Sequence, residues 1–327
     1  MGYQRSIENF RTIDLKLMRP EGFLSKIIRS TREKHEKVNK KHGWRDVLGC
    51  PLCKSPNCTV EFKKFGIDIM CCNTCSLRYS SKIPLRTEDI YSDEIYLPHA
   101  IESYMSNSAY RKERFGKERI ELIQTQIGSL KGKRLLDIGC GTGWFLEVAR
   151  EYGTEVFGQE LGKHLAQWTS DRVGIKIFDC AISEIPCDIK VDVVTMFDLI
   201  EHVENPIHLI NECKRLLQSD GILVIFTPNF DSLAISIMRE DSNLISPAEH
   251  LTYFNEKAVL TLAQKVQLEL AYYSTNGIDL GDLKSFYESL DKKDLALACN
   301  TLFNYLQPLV DAAGAGNHLR FILKMAG

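Results

Sequence analysis

The sequence predicts an α/β fold built on a seven-stranded sheet, with a small cysteine-rich module ahead of it. Three observations carry that expectation. From Lys133 onward short apolar runs alternate with helical stretches, the pattern of βαβ units. A glycine-rich turn, Asp137-Ile-Gly139-Cys140-Gly141-Thr-Gly143, directly follows the first of those runs. Upstream, two C-x2-C pairs, Cys50/Cys53 and Cys72/Cys75, are separated by eighteen residues.

The chain of 327 residues is long enough for one large domain and an appendage. Hydrophobic residues are 44% and charged residues 26%, ordinary globular usage, and no apolar run approaches the length of a membrane span. The opening MGYQRSIENF has no apolar core of the kind a secretory signal needs, so the expected address is cytoplasmic. Its first residues also fit the M-G-x-x-x-S acylation pattern, which is too short to carry weight. A net charge of -2 gives no global attraction to nucleic acid. Eleven cysteines is an odd number for a disulfide framework and suits thiols or metal ligands.

Residues 1–49 read as a helical extension. Within 21–49, eight Lys or Arg stand against four acids, and Phe23, Leu24, Ile27 and Ile28 form one apolar stripe. Such a helix docks on its own protein more readily than on nucleic acid. Residues 50–80 form the cysteine module. The two knuckles supply four thiolates for tetrahedral zinc, and a shell closed by four protein ligands leaves no place for water, so the expected Zn2+ is structural. Phe62, Phe65, Ile67 and Ile69 between the knuckles suggest a zinc-ribbon-like set of strands. Residues 81–109, with Tyr91, Tyr96 and Tyr104, read as a connector, and a helix is expected from Tyr110 to about Gln126.

Strands are expected at 134–139, 155–160, 175–179, 191–198, 221–228, 269–275 and 318–325. Asn205-Pro206 opens a helix, with Asn at the cap, Pro at the first position, and Ile207, Ile210, Cys213, Leu216 and Leu217 at helical spacing. Residues 230–255 and 277–317 fall outside the alternation and are expected to cover the substrate.

In the glycine turn, alternate glycines let the backbone approach a ligand while the next helix offers unpaired N–H groups. A dinucleotide fingerprint would need glycine at 144, where Trp144 stands, which argues against a pyrophosphate ligand. Glu160 ends the second strand where an acid can accept from ribose hydroxyls. Asp179-Cys180, ending the third, is placed to meet an adenine amino group.

With these residues in view, the chain resembles the class I S-adenosylmethionine-dependent methyltransferases over residues 110–327. LLDIGCGTGWFLEVA is similar to the family's first motif, VFGQEL to its acidic second motif, and VDVVTMFDLIEHVENP to the strand-four signature of the small-molecule branch. SPAEHLTYFNEKAVL is similar to a segment of sugar-pathway, natural-product and quinone methyltransferases. The resemblance implies a Rossmann-like sheet and S-adenosylmethionine as cofactor. It implies that Asp137, Gly139, Gly141, Gly143, Glu160 and Asp179 line the cofactor site, with Cys140 and Cys180 beside them and Phe197 and Asp198 flanking it.

Methyl transfer to a hydroxyl calls for alignment and a proton acceptor. His202, after Glu201 at the end of strand four, is one candidate base, and His250 in the 230–255 insertion is the second. If the chain turns helical there, Asp198, Glu201 and His202 share a face and could bind a divalent cation. The leading expectation is methylation of a small-molecule acceptor, such as a nucleotide-linked sugar or glycan precursor, on oxygen. The alternatives are an RNA methyltransferase using the zinc module and basic helix, and a non-catalytic cofactor-binding scaffold. A homodimer is open; no membrane partner is expected.

Overall fold

The computed structural model describes residues 10–86, 90 and 93–325, with only the backbone of 93–96 and 99. The acylation pattern and Tyr91 lie outside the described residues, as does the side chain of Tyr96.

In chain order the N-terminal half gives α1 (Leu15–Met18), α2 (Phe23–Lys41), β1 (Trp44–Asp46), β2 (Cys58–Lys64), β3 (Ile67–Cys72), β4 (Arg78–Ser80) and β5 (Lys82–Pro84). Next come α3 (Asp93–Arg111), a π-helical turn at Lys112–Gly116 and α4 (Lys117–Ile127). The sheet region follows: β6 (Arg134–Ile138), α5 (Trp144–Glu151), β7 (Glu155–Gln159), α6 (Lys163–Val173), β8 (Ile177–Phe178), β9 (Val191–Phe197), α7 (Pro206–Leu216) and β10 (Leu217–Pro228). The chain closes with α8 (Leu233–Met238), β11 (Thr252–Tyr253), α9 (Glu256–Lys265), β12 (Leu268–Asn276), α10 (Asp279–Ser289), α11 (Lys293–Ala312) and β13 (His318–Met325).

Seven strands form one sheet in the order β12-β13-β10-β9-β6-β7-β8, as the alternation predicts. β13 runs antiparallel to both its neighbours, while the pairs from β10 to β8 are parallel. β8 is only two residues long because it meets β7 at Gly158 and Gln159 alone. The chain leaves β6 toward β7 on one side and returns to β9 on the other, so the crevice beyond β6 and β9 is the switch point where open α/β sheets bind ligands. Both faces are covered, and successive residues of the central strands alternate between two cores. Leu136, Val194 and Leu223 face one; Leu135, Val193 and Val224 face the other. In α7 the Asn205 side chain accepts from the His208 N–H at 3.1 Å with Pro206 at the first position, as expected.

Two local features depart from the sequence reading. The connector is helical from Asp93 and runs through the π turn into α4. Its Ser103, Ser106, Asn107 and Ser108 are weak helix formers, so local propensity conceals it. The cysteine segment pairs with the late insertion: β11 joins β4 with Thr252 opposite Tyr79, completing a four-stranded sheet in the order β11-β4-β3-β2. Cys50, Leu52, Cys72 and Leu77 belong to the same core cluster as Leu136 and Val194 of the large sheet.

Helix α2 buries Leu24, Thr31, His35 and Val38 along one stripe, with Lys34 paired to Glu249 at 2.5 Å. The basic helix is thus docked on its own protein. Among the described residues no helix is long and apolar enough to cross a membrane.

Gly158 in β7 tests this packing, because a methyl group there would lie 2.5 Å from Ile177 Cδ1 and 2.7 Å from Cys140 Sγ. Gly158→Ala should destabilise the protein by about 1–3 kcal/mol through overpacking beneath the glycine turn. An unchanged denaturant midpoint would show that this contact is slack.

Candidate active site and cysteine centre

Gly139, Gly141 and Gly143 have φ of 66°, 52° and 68°, the left-handed region that disfavours side chains, which explains glycine at all three alternate positions. Each glycine serves a different contact. A methyl at Gly139 would press Leu199 at 3.0 Å, one at Gly143 would strike Thr169 at 2.7 Å, and one at Gly141 meets nothing within 4 Å. Gly141 faces open space because the turn rims a cavity of about 400 Å³, within the range of cofactor sites. Asp137, Gly139, Cys140, Gly141, Phe197 and Asp198 line it.

Gly143, Glu160, Asp179 and Cys180 are not among the cavity's lining residues, nor are Glu201, His202 and His250. Gly143 packs on α6. The Glu160 carboxylate accepts from the Gly141 N–H at 3.1 Å and the Gly162 N–H at 2.9 Å, which fixes the turn against the end of β7. Asp179 is exposed, and the Cys180 carbonyl accepts from Gln159 Nε2 at 2.9 Å.

Two arginines missed by sequence reasoning complete the cavity. Arg111 ends α3 and Arg119 lies in α4, eight residues later. The π turn between them inserts an extra residue, so their spacing on the helix behaves like seven and both reach one face. Arg119 sits 3.9 Å above the Phe197 ring and 4.8 Å above Trp144, and withdrawal from water lowers its pKa to about 10. Tyr104 of α3 closes the mouth, its hydroxyl held by Arg172, while Arg172 also donates to the Thr142 carbonyl. No local signal marks α3 as a helix, since weak helix formers fill its second half and Pro98 its first.

Asp137 is 4% exposed and accepts from Thr195 Oγ1 at 2.7 Å. Burial pushes its carboxyl up to about 7, against the Thr195 hydrogen bond and the Arg119 charge. Asp198 occupies left-handed backbone at φ 54°, with half of its side chain open. Burial would raise its carboxyl, but His318, whose Nε2 lies 3.3 Å from Oδ1, and Arg119 hold it down at about 2. His318 is a third residue that sequence reasoning missed.

The helical face proposed for Asp198, Glu201 and His202 does not form, because Asp198 turns left-handed and Ile200–His202 is a 3-10 turn. The group brought together is Glu201, His202 and His250, whose ligand atoms lie within 4.8 Å of one another, a donor set chemically suited to a divalent cation. Glu201 is 1% exposed, accepts from Thr227 Oγ1 at 2.8 Å, and is pushed up to about 8 by burial and by Asp198. His202 Nδ1 donates to the Glu249 carbonyl at 2.9 Å and His250 Nδ1 to the Leu244 carbonyl at 2.8 Å, which makes Nε2 the accepting atom of each ring. Burial lowers both imidazoles, His202 to about 3. The rings stand 4.8 Å apart.

At the cysteine centre, Cys50 Sγ lies 3.5 Å from Cys75 Sγ and Cys53 Sγ 3.4 Å from Cys72 Sγ, and all four sulfurs fall within 4.8 Å. Tetrahedral zinc with bonds of about 2.3 Å places its sulfurs at similar separations. The knuckles repeat one turn: the Lys54 N–H donates to the Cys50 carbonyl and the Ser76 N–H to the Cys72 carbonyl, with Lys54 and Ser76 both at φ 62°.

An open α/β sheet with this glycine turn, this cavity at the switch point and an acid beneath it defines an S-adenosylmethionine-dependent methyltransferase. Residues 109–273, half of the chain, match the family model described as a methyltransferase domain, and the chain belongs to that family. Among curated proteins it is similar to the ubiquinone biosynthesis O-methyltransferase of Haemophilus ducreyi, 29% identical over 167 residues, 43% of this chain and 71% of that one. The protein of the same name from Actinobacillus pleuropneumoniae is 34% identical over 122 residues, 34% of this chain and 52% of its own length. A solved S-adenosylmethionine-dependent methyltransferase from Archaeoglobus fulgidus superposes with a TM-score of 0.44 at 16% identity, covering 66% of this chain and 98% of its own.

Two measurements follow. The Asp137 carboxyl binds its proton more tightly in the folded protein, near 7, than the unfolded value of about 3.9, so ionising it weakens the fold as pH rises between those values. Asp137→Asn should therefore melt several degrees higher than the unaltered protein at pH 8 and lose that advantage at pH 4; an equal gap at both pH values would assign the effect to packing. Cys50→Ser should bind well under one zinc per chain by elemental analysis and unfold at lower temperature, whereas full zinc content would remove Cys50 from the ligand set.

Proposed function

We propose that this protein methylates a hydroxyl of a small molecule, with S-adenosylmethionine as donor and Zn2+ held by Cys50, Cys53, Cys72 and Cys75 as a structural ion. The reading rests on one observation above the others: the cavity at the glycine turn is floored by Asp198, and three residues further on Glu201 and His202 meet His250. The relatives' shared name, a ubiquinone biosynthesis O-methyltransferase, favours a small-molecule oxygen acceptor and gives no support to a nucleotide-linked sugar.

The residues present fit the cofactor. Gly141 leaves the turn open to it, Asp137 offers a carboxyl to its cationic groups, Arg111 and Arg119 offer charge to its carboxylate, and Glu160 and Asp179 are the acids proposed for its ribose and adenine. When bound, it supplies a methyl group made electrophilic by an adjacent sulfonium. The protein's task is to align the acceptor oxygen and take its proton. His202 is uncharged near neutrality and presents Nε2 3.8 Å from Glu201 Oε1, while Glu201, raised to about 8, retains its proton there. The pair therefore begins neutral, and a proton received at His202 Nε2 is stabilised by the acids around it. His250 shares that role from the opposite side.

Calorimetric titration with S-adenosylhomocysteine should give micromolar binding, about -8 kcal/mol. Transfer of labelled methyl should then be found with hydroxylated aromatic acceptors before sugar nucleotides or RNA. His202→Ala should lower kcat about a hundredfold or more while the homocysteine analogue binds as before. Undiminished turnover in that variant would remove His202 from proton transfer, binding with no methyl transfer to any acceptor would favour the scaffold reading, and no binding by a folded, zinc-loaded sample would overturn the cofactor assignment.

A further inference from the structure

We propose that α11 is the seam of a two-fold homodimer, pairing antiparallel with α11 of a second copy of this chain. The helix has two apolar sides. One is used within the chain: Ala296 and Phe303 are buried, and Phe303 and Cys299 belong to the cluster formed with α10, α1 and α2. The other points outward. Leu295, Leu302, Tyr305 and Leu309 are exposed at the spacing of a heptad seam, with Leu306 beside them and Leu297 exposed further round the helix. Exposure reaches 64% at Leu297, 74% at Tyr305 and 65% at Leu309. From Leu295 through Val310 there is no charged residue. A helix apolar all round is ordinarily covered all round.

The choice of occupant follows from the pattern and from the area it can cover. A heptad face is complementary to another heptad face, and a second copy supplies one identical in length and phase. Run antiparallel, the seam sets Leu302 against Tyr305 of the second copy and the small Ala298 against its Leu309. Antiparallel pairing also opposes the helix dipoles, which a parallel pair would align. A helix that lies on a membrane flanks its apolar face with Lys and Arg; here neither residue occurs between Leu295 and Val310. The five exposed apolar side chains of this face present on the order of 500 Å² per copy, so a two-fold pair covers on the order of 1,000 Å², the size of a weak dimer. That area fits a dimer with measurable dissociation.

Sedimentation velocity of the full-length, zinc-loaded protein from about 1 to 200 μM tests this. The expected result is a concentration-dependent shift from the 37.3 kDa chain to twice that mass. Leu302→Glu, at an exposed position, should weaken association at least a hundredfold while its circular dichroism and S-adenosylhomocysteine binding match the unaltered protein. Should that variant fold poorly, Leu309→Lys provides the same reading, and hydrogen exchange of the unaltered protein should slow between residues 295 and 309 as concentration rises. A chain that stays monomeric at 200 μM overturns the proposal, as does dimerisation unaffected by both substitutions. Flotation of the unaltered monomer with anionic lipid vesicles would assign the face to a membrane instead.

Discussion

The backbone turn from Ile138 to Gly143 is the constraint on which the rest of the site depends. Three left-handed residues at alternate positions cannot hold themselves in place, and neighbours from three directions fix them. Gln159 and Glu160 accept or receive hydrogen bonds at Gly139, Cys140 and Gly141, Thr169 donates to the Gly141 carbonyl at 2.8 Å, and Arg172 donates to Thr142. These partners come from β7 and α6, so the turn is correct only once the parallel sheet has assembled. Asp137 then lies beneath a cavity whose other wall, α3 and α4, is built from a different part of the chain. The binding site is therefore a late product of folding even though its motif is local.

The cysteine centre acquires a reason for its position from the same viewpoint. β4 connects directly to the second knuckle and pairs with β11, and β11 follows His250 by one residue. The Ser80 hydroxyl also donates to the carbonyls of Pro247 and His250 at 3.2 Å. The cysteines of the two knuckles pack on the core of the large sheet and connect through one short strand to the segment carrying a candidate base. That coupling runs through backbone pairing and needs no contact between the cysteine centre and a substrate.

Legibility in the sequence followed the range of the interactions. Strands and the glycine turn were readable because apolar runs and alternate glycines are local signals; β13 matches its expected limits, 318–325. The knuckles were readable because two-residue spacings encode a turn. α3 was hidden by its polar composition, and Arg119 and His318 carry no local sign of function, since each is placed by packing. The expected face of Asp198, Glu201 and His202 assumed a helix where a left-handed residue intervenes. His250 was singled out from its segment alone; its meeting with His202 depends on β4 and β11, far apart in sequence at Tyr79 and Thr252, which no periodicity encodes.

The strand-four end gathers Asp198, Glu201, His202, His250 and His318 into a small volume, and their charge states are mutually determined. Asp198 is ionised because His318 and Arg119 face it, and that ionised carboxylate is one cause of Glu201 keeping its proton. Burial, with His250 beside it, outweighs the charges of Glu249 and Asp198 at His202 and leaves that imidazole neutral. The chain of consequences runs outward to Asn317, fully buried, whose Oδ1 lies 3.1 Å from His318 Nδ1 and whose amide donates to Asp282, itself paired with Arg19 from the N-terminal segment. An arginine more than a hundred residues before the glycine turn thus helps to set the orientation of the histidine that keeps Asp198 charged. The protonation of the candidate bases is in this sense a property of the assembled fold, and the long C-terminal insertion contributes to it by orientation even though it does not line the cavity.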